Sequence, residues 1–380
     1  MSQSKKTAYL ISCSDHYKHR LFAVDAYLRG RGYETTYLTS DFDHTTKKVF
    51  RCEVNGCIQL PSRPYRKNLS AARILSHRAF ARDAFQYLEK LPRQPDAVVA
   101  LLPPNFLAHY AKKYKKRHPQ VKLVFDIFDM WPETFPSGNM KKLLRPAFAV
   151  WAWVRDHSLD AADFITTECE LFRRLLKLDP GKSATVYLCA DPLNIPKAPV
   201  RLREDRIEFC YLGSINNVVS IPDICAFIAK LTAEKPVVLH IVGIGERQQE
   251  FIDSAKAAGA EVVFYGAVFD DAKKQEIISR CHFGLNIMKS SVCVGLTMKS
   301  VEYFRHGLPI INNIPADTAE LVAQKGVGLQ LGEDCVQRLL KISNHDCLKM
   351  RENVNAAFKS FFETSVTARQ YDALLTPLLE

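Results

Sequence analysis

A short stretch in the last third of the chain carries the densest potential chemistry. An apolar strand, Phe283–Ile287, runs into the small polar loop Lys289-Ser290-Ser291 and Gly295, then into a helix-like run from Thr297 containing Lys299-Ser300-Val301-Glu302. The first amides of a helix have no intrahelical partners and its dipole favours negative charge, so such a helix start is an anion site. Lys299 adds a mobile cation, Ser300 a hydroxyl donor, and Glu302 shares a face with Lys299 three residues before it. A diphosphate on the amides and Lys299, with a ribose diol on Glu302, would complete half of a nucleotide site. The same residues also fit a core helix bearing an ordinary surface Lys–Glu pair. Gly213-Ser214, at the end of the run Phe209–Leu212, adds a turn where backbone can approach a phosphate and a hydroxyl can donate to it. Gly243-Ile244-Gly245 has Gln248 where a dinucleotide fingerprint needs its third glycine, and it lies far from the first strand, which argues against a redox cofactor.

The first half offers a second cluster. Phe125-Asp126-Ile127-Phe128-Asp129-Met130-Trp131-Pro132-Glu133 follows a strand pattern, and open α/β sheets bind ligands at the carboxyl ends of their strands. Asp129, Glu133 or Asp15 could act as a base on an acceptor hydroxyl, and Trp131 could lie against a sugar face, with His16 beside it in the loop after the first strand. Alternatively, the carboxylates cap turns and Trp131 is a packing residue. Asp41-Phe42-Asp43 spells the D-x-D of metal-dependent sugar transfer, but its context reads as a turn, and no metal is expected. Lys141, Lys142 and Arg145 precede Phe148, Trp151 and Trp153, a mixture suited to the headgroups of an anionic membrane or, equally, to a core helix with a basic start.

These segments need a scaffold of matching size. The chain has 380 residues, 47% hydrophobic and 24% charged, enough for two or three domains with real cores. Its net charge of +11 is uneven: residues 1–200 hold 32 Lys and Arg against 19 Asp and Glu, while residues 201–380 hold 20 against 22. A basic half joined to a near-neutral half suggests two domains with different ligands, the first facing something anionic. The basic residues form no nucleic-acid-reading module. Eleven cysteines without a C-x-x-C pair read as reduced thiols of a cytoplasmic protein, and no secretory leader or membrane span is apparent. Val- and Ile-rich strand runs alternate with helix patterns through both halves, restarting at Ile207 after the proline-bearing segment Asp191–Arg206. The alternation predicts α/β architecture with parallel sheets: one domain over 1–195, a second over 206–350, and a helix over 351–380 that packs back toward the first.

Together the segments resemble the GT-B glycosyltransferases, particularly family 4 enzymes of bacterial surface and capsular polysaccharides. Asp126–Glu133 resembles the family's aspartate-rich Trp-Pro-Glu segment, Tyr211–Asn216 the opening of its donor domain, and Lys299–Pro309 its diphosphate helix. The resemblance implies two Rossmann-like domains facing a central cleft. It places a UDP- or GDP-linked sugar on Gly213, Ser214, Lys299 and Ser300, with Glu302 on the ribose and the backbone at Tyr265–Val268 on the base. The implied activity is metal-independent transfer of a hexose or N-acetylhexosamine to a lipid-linked or surface-polysaccharide acceptor, retaining rather than inverting. The expected location is cytoplasmic, peripheral on the inner membrane face through Lys141, Lys142 and Arg145. Two departures stand out: Val294 occupies the place where many relatives have a first Glu, and Ser214-Ile215-Asn216-Asn217 lacks their Arg and Lys. A UDP-sugar 2-epimerase of the same fold and a non-catalytic partner subunit are the alternatives.

Overall fold

The computed structural model describes residues 5–14, 18–44, 46–68, 70–134, 144–195 and 198–379. Asp15, His16, Lys141 and Lys142 lie outside the described residues. The chain divides into two compact units, Met1–Tyr187 with Thr367–Glu380, and Leu188–Val366.

In the first unit the strands are β1 (Thr7–Ser12), β2 (Glu34–Ser40), β5 (Cys57–Leu60), β6 (Ala97–Leu102), β7 (Lys122–Ile127), β8 (Phe164–Thr167) and β9 (Ser183–Thr185). They form one parallel sheet in the order β5-β2-β1-β6-β7-β8-β9. Every residue of β6 is buried, which is why its sequence is an unbroken apolar run rather than an alternation. Helices α1 (Lys18–Gly30), α2 (Ala71–Glu89), α3 (Asn105–Arg117), α4 (Arg145–Asp156) and α5 (Glu170–Leu175) connect the strands. The sheet order reverses between β1 and β6, so the loops that leave these strands diverge and open a crevice at their carboxyl ends.

The Asp41-Phe42-Asp43 segment is a small hairpin: β3 (Phe42–Asp43) pairs antiparallel with β4 (Lys48–Val49). Asp41 accepts the Ser62 amide at 2.8 Å and Asp43 the Thr46 hydroxyl at 2.9 Å, so both carboxylates tie loops together. The last strand of this sheet ends at Thr185, and the Val186 carbonyl just beyond it accepts from the Arg20 guanidinium at 2.7 Å.

The second unit repeats the architecture with β10 (Ile207–Leu212), β11 (Val237–Val242), β12 (Glu261–Gly266), β13 (Phe283–Asn286), β14 (Ile310–Asn312) and β15 (Gly328–Gln330) in the order β12-β11-β10-β13-β14-β15. Its helices are α6 (Ile221–Thr232), α7 (Gln248–Ala257), α8 (Asp271–Ile278), α9 (Met298–Arg305), α10 (Asp317–Lys325), α11 (Cys335–Leu340) and α12 (Asn344–Ala357). Its core is aliphatic and aromatic, with Phe209, Tyr211, Leu239, Ile241, Phe283 and Leu285 fully enclosed. The proline-bearing segment after Tyr187 is attached to this unit, where Ala190 bridges to Glu363 and the Asp191 carbonyl accepts from Arg305.

The predicted cut at residue 350 falls inside α12, which stays with the second unit together with the π-helical turn Phe358–Phe362. Helix α13 (Thr364–Leu379) then crosses into the first unit. There Tyr371, Leu375 and Leu379 pack into the core beside Leu10, Val99 and Val124, and Arg31 pairs with Asp372 at 2.6 Å. No helix among the described residues is long and apolar enough to cross a membrane.

Candidate functional site

The second sheet reverses between β10 and β13, which share only two register pairs before they part. The hydroxyl of Tyr303 on α9 closes that gap, accepting from the Leu212 amide at 2.9 Å and lying 3.0 Å and 3.2 Å from the Cys210 and Leu285 carbonyls. Its ring lies where any Cβ at Gly284 would be, within 2.7 Å. Above this wedge is a cavity of about 460 Å³, lined among others by Gly213, Ser214, Asn216, Met298, Lys299 and Glu302. That volume is in the range of small-molecule sites, and a switch point is where open parallel sheets place them.

The glycines of this region have a packing function. Gly213 is left-handed at φ +113°, and Gly243, at φ +153°, presses against it so closely that a Cβ would sit 2.0 Å from the Gly213 carbonyl oxygen. A Cβ at Gly245 would sit 2.2 Å from the Ile215 carbonyl. The turns after β10 and β11 therefore dock backbone to backbone, which explains a G-x-G without a dinucleotide behind it. Gly243→Ala should displace the Gly213-Ser214 turn. A destabilisation of ~1–3 kcal/mol, typical of a strained, overpacked backbone position, is expected, and denaturant unfolding would measure it.

Lys299 is the distinctive group of the cavity. It lies in the first turn of α9, after the N-cap Thr297, whose hydroxyl accepts the Ser300 amide at 3.0 Å. Its ammonium rests 3.9 Å from the centroid of the buried Tyr211 ring, and its stem packs near Gly213. Among the described residues no carboxylate forms an ion pair with it. Burial without a counterion pushes its pKa down to about 7. A cation held over an aromatic face, beside helix amides and a glycine turn, lacks one thing: an anion.

Ser300 does not share this role. Its side chain is fully buried, with the hydroxyl 3.0 Å from Asn286 Nδ2 and 2.8 Å from Thr297 Oγ1, so it cannot reach a diphosphate. Asn286 also donates to Asn312 at 2.8 Å, and Asn312 to Gln330 at 2.8 Å. This buried amide row along β13, β14 and β15 fixes the start of α9, so Ser300 is a positioning residue and a correction to the sequence reading.

Glu302 does line the cavity, but Lys274 Nζ lies 2.6 Å from its Oε1 and Arg305 Nη1 3.6 Å from its Oε2. Burial opposes its charge, yet hydrogen bonds from His306 and Lys274 outweigh it and hold its pKa down at about 2. It is an ionised acceptor, as a ribose diol requires. Asp271, Glu302 and His306 approach closely enough to share a metal ion, but Lys274 and Arg305 already neutralise the two carboxylates.

Tyr265 and Val268 are not part of the cavity lining. The Tyr265 hydroxyl meets His240 Nδ1 at 3.0 Å, His240 Nε2 meets Glu208 at 2.8 Å, and Arg206 completes the row at 2.9 Å from Glu208. That side chain braces β10, β11 and β12.

In the first unit the aspartate-rich segment is largely structural. Asp126 is buried and receives Arg20 in a two-pronged pair at 2.8 Å and 2.6 Å. Glu133, expected as a base, is held by Arg155 through two hydrogen bonds of 2.8 Å, and Arg155 is itself 1% exposed; this is an anchor for α4 and corrects the expectation. Asp129 accepts from Thr134 and Trp131, and burial pushes its pKa up against those bonds. Trp131 is not an open sugar platform, because His77 stacks on it at 5.8 Å and the Arg73 guanidinium lies 4.4 Å from its ring centroid. On α4, Phe148 and Trp151 are buried while Arg145, Val150 and Trp153 are exposed, so that helix is half core and half surface.

Residues 206–342 match the family model described as Glycosyl transferases group 1. No curated protein matches the sequence significantly. Several solved structures share the fold over nearly their whole length. The lipopolysaccharide outer core galactosyltransferase WaaB is 13% identical with a TM-score of 0.66, over 98% of this chain and 99% of its own. HepE from Anabaena, in complex with UDP and glucose, is 13% identical with a TM-score of 0.62, over 98% and 100%. The catalytic domain of starch synthase IV from Arabidopsis thaliana, bound to ADP and acarbose, is 12% identical with a TM-score of 0.63, over 99% and 100%. At these identities the likeness fixes the fold, which is GT-B with two Rossmann-like units.

Proposed function

We propose that this protein is a glycosyltransferase that moves a hexose or N-acetylhexosamine from a UDP- or GDP-linked sugar to a lipid-linked or surface-polysaccharide acceptor. The observation that carries the reading is Lys299: a half-buried ammonium without an ion-pair partner among the described residues, in the first turn of α9, in a cavity large enough for a nucleotide. Breaking the glycosyl–phosphate bond leaves charge on the departing diphosphate, and a preorganised cation with helix amides stabilises it as it forms. No metal is needed for that role. The group 1 match covers this same region, and the UDP and ADP bound in similar structures support a nucleotide donor.

Glu133 is committed to Arg155, and Asp129 is bonded to Thr134 and Trp131. These commitments favour retention: the C1–O bond to phosphate breaks, the acceptor oxygen attacks on the same face, and the departing phosphate takes the acceptor's proton. The exposed Val150 and Trp153 beside Arg145 give α4 a face suited to the headgroup layer of an anionic membrane, so the enzyme would work at the cytoplasmic membrane surface.

Thermal unfolding against a panel of nucleotide sugars tests the donor. One UDP- or GDP-sugar should stabilise the protein, by ~2.7 kcal/mol at a hundredfold excess over its Kd. Turnover of that sugar should require a glycan acceptor, and the protein should sediment with anionic vesicles at low salt. Stabilisation by none would refute the reading, and conversion of the donor without any acceptor would replace it with an epimerase.

A further inference from the structure

A lysine amine that faces a roomy cavity with no acceptor on it is a nucleophile as well as a cation. We propose that Lys299 is a modification site: an acyl phosphate enters the cavity of the second unit and transfers its acyl group to the Lys299 amine, which blocks the donor site. The acylation stands on the geometry of the second unit alone, and its effect on the donor rests on the glycosyltransferase reading.

The inward-facing lysines differ in what holds them. Lys274 lies between Asp271 and Glu302 at 3.0 Å and 2.6 Å. Lys112 and Lys115 each meet an aspartate and a backbone carbonyl. Lys47 Nζ donates to the His44 carbonyl and the Asn68 side chain. The half-buried Lys299 Nζ has no hydrogen-bond or ion-pair partner among the described residues and lies 3.9 Å from the centroid of the Tyr211 ring. The Tyr211 hydroxyl donates to the Ser214 carbonyl at 2.7 Å, so the ring alone meets the amine. Of the other titratable groups around it, Glu302 on the same helix is held by Lys274 and Arg305, and Cys210 on β10 is fully buried. Burial therefore acts on the amine without an opposing carboxylate, and its pKa falls to about 7. At pH 7.5 most of that amine is neutral, against about one part in a thousand for an ordinary lysine. Desolvation of this kind activates lysine nucleophiles.

The surroundings select the acyl donor. The cavity of about 460 Å³ leaves room beside the amine, and Val218, Val219, Met288 and Val301 give it an apolar wall for a short acyl chain. Gly213, Ser214 and the first turn of α9 line the same cavity and suit the phosphate. In the step, the amine lone pair attacks the acyl carbon, the C–O bond to phosphate breaks, and one amine proton leaves with the phosphate as hydrogen phosphate. The products are a neutral amide and inorganic phosphate, with no change of oxidation state. The cation that would meet a diphosphate is gone, and the acyl group occupies part of its place.

Incubation of the full-length protein with acetyl phosphate at pH 7.5, followed by quantitative peptide mass spectrometry, tests this. Nucleophilicity falls with basicity, which offsets part of the gain in neutral amine. Lys299 should still be acetylated at least tenfold faster than the median lysine, and the preference should vanish in urea-unfolded protein. Selectivity for Lys299 should be at least threefold greater with acetyl phosphate than with a small acetyl thioester, which carries no phosphate. Protein acetylated at Lys299 should bind UDP at least tenfold more weakly. Reaction at the median rate, a preference that survives unfolding, equal selectivity with the thioester, or undiminished UDP affinity after acetylation would each overturn the proposal. UDP affinity of the untreated protein keeps the readings apart. A protein that binds UDP but is not acetylated preferentially at Lys299 defeats only the modification, and preferential acetylation in a protein that binds no UDP defeats only the donor site.

Discussion

Lys299→Met should reduce sugar transfer by ~10²–10³-fold, the loss usual when one preorganised donor is removed from a developing anion, while making the unliganded protein more stable. Both effects come from one cause. The side chain is half-buried in the cavity, with its ammonium against Tyr211 and no ion-pair partner among the described residues, so in the absence of substrate it is a partly desolvated charge, and methionine fills similar space without that penalty. The folded-state pKa of about 7 lies below the ordinary lysine value of 10.5. Between these values the unfolded chain binds more protons than the folded one, so stability contributed by this group rises with pH across that window. The full cost of the buried charge is felt below pH 7, and it fades toward pH 10. The variant's melting temperature should therefore exceed wild type most at pH 6, at ~2–4 °C per kcal/mol for a unit of this size, with the gap closing as pH rises. A variant that is less stable at pH 6, or that transfers sugar at near wild-type rates, would contradict this assignment.

Donor affinity should carry the opposite dependence. Only the protonated ammonium attracts the diphosphate, and bound diphosphate in turn raises the lysine pKa. A nucleotide sugar has no phosphate proton to lose near neutrality, so the pH profile reports the protein. Affinity should be flat below pH 7, then weaken by up to tenfold per unit until the pKa of the complex is reached, giving a Kd at least about fivefold higher at pH 9 than at pH 6.5. Calorimetry at pH 8 in buffers of different ionisation enthalpy should show net proton uptake on binding. Glu302 does not share this window, because Lys274 and His306 keep its pKa at about 2 and it stays ionised throughout. Lys299→Met should remove the slope along with most of the affinity.

Sequence and structure agree where local chemistry is decisive. The buried strands were legible because parallel sheets covered on both faces need unbroken apolar runs, as in Ala97–Leu102 and Val237–Val242. The start of α9 was legible from Thr297 and the loop before it, and Lys299 from its place in the first turn. What stayed hidden depends on partners remote in the chain. Glu133 reads as a free base until Arg155, 22 residues later, is seen to hold it. Ser300 reads as a phosphate donor until Asn286 and Thr297 enclose its hydroxyl, since a serine near a helix start serves equally as ligand or as scaffold. Arg73 and His77 belong to no motif; they sit on α2, and only the β1/β6 reversal brings them beside Trp131. The strand Cys57–Leu60 escaped notice because it is short and half-buried throughout, without the pattern of a core strand.

The central claim is that an uncompensated cation in the second unit waits for a diphosphate. Its most direct test is NMR titration of the Lys299 side chain, with and without UDP. The account predicts a pKa near 7 in the free protein that rises by at least one unit when UDP binds. A lysine that titrates at its ordinary value, unmoved by UDP, would contradict it.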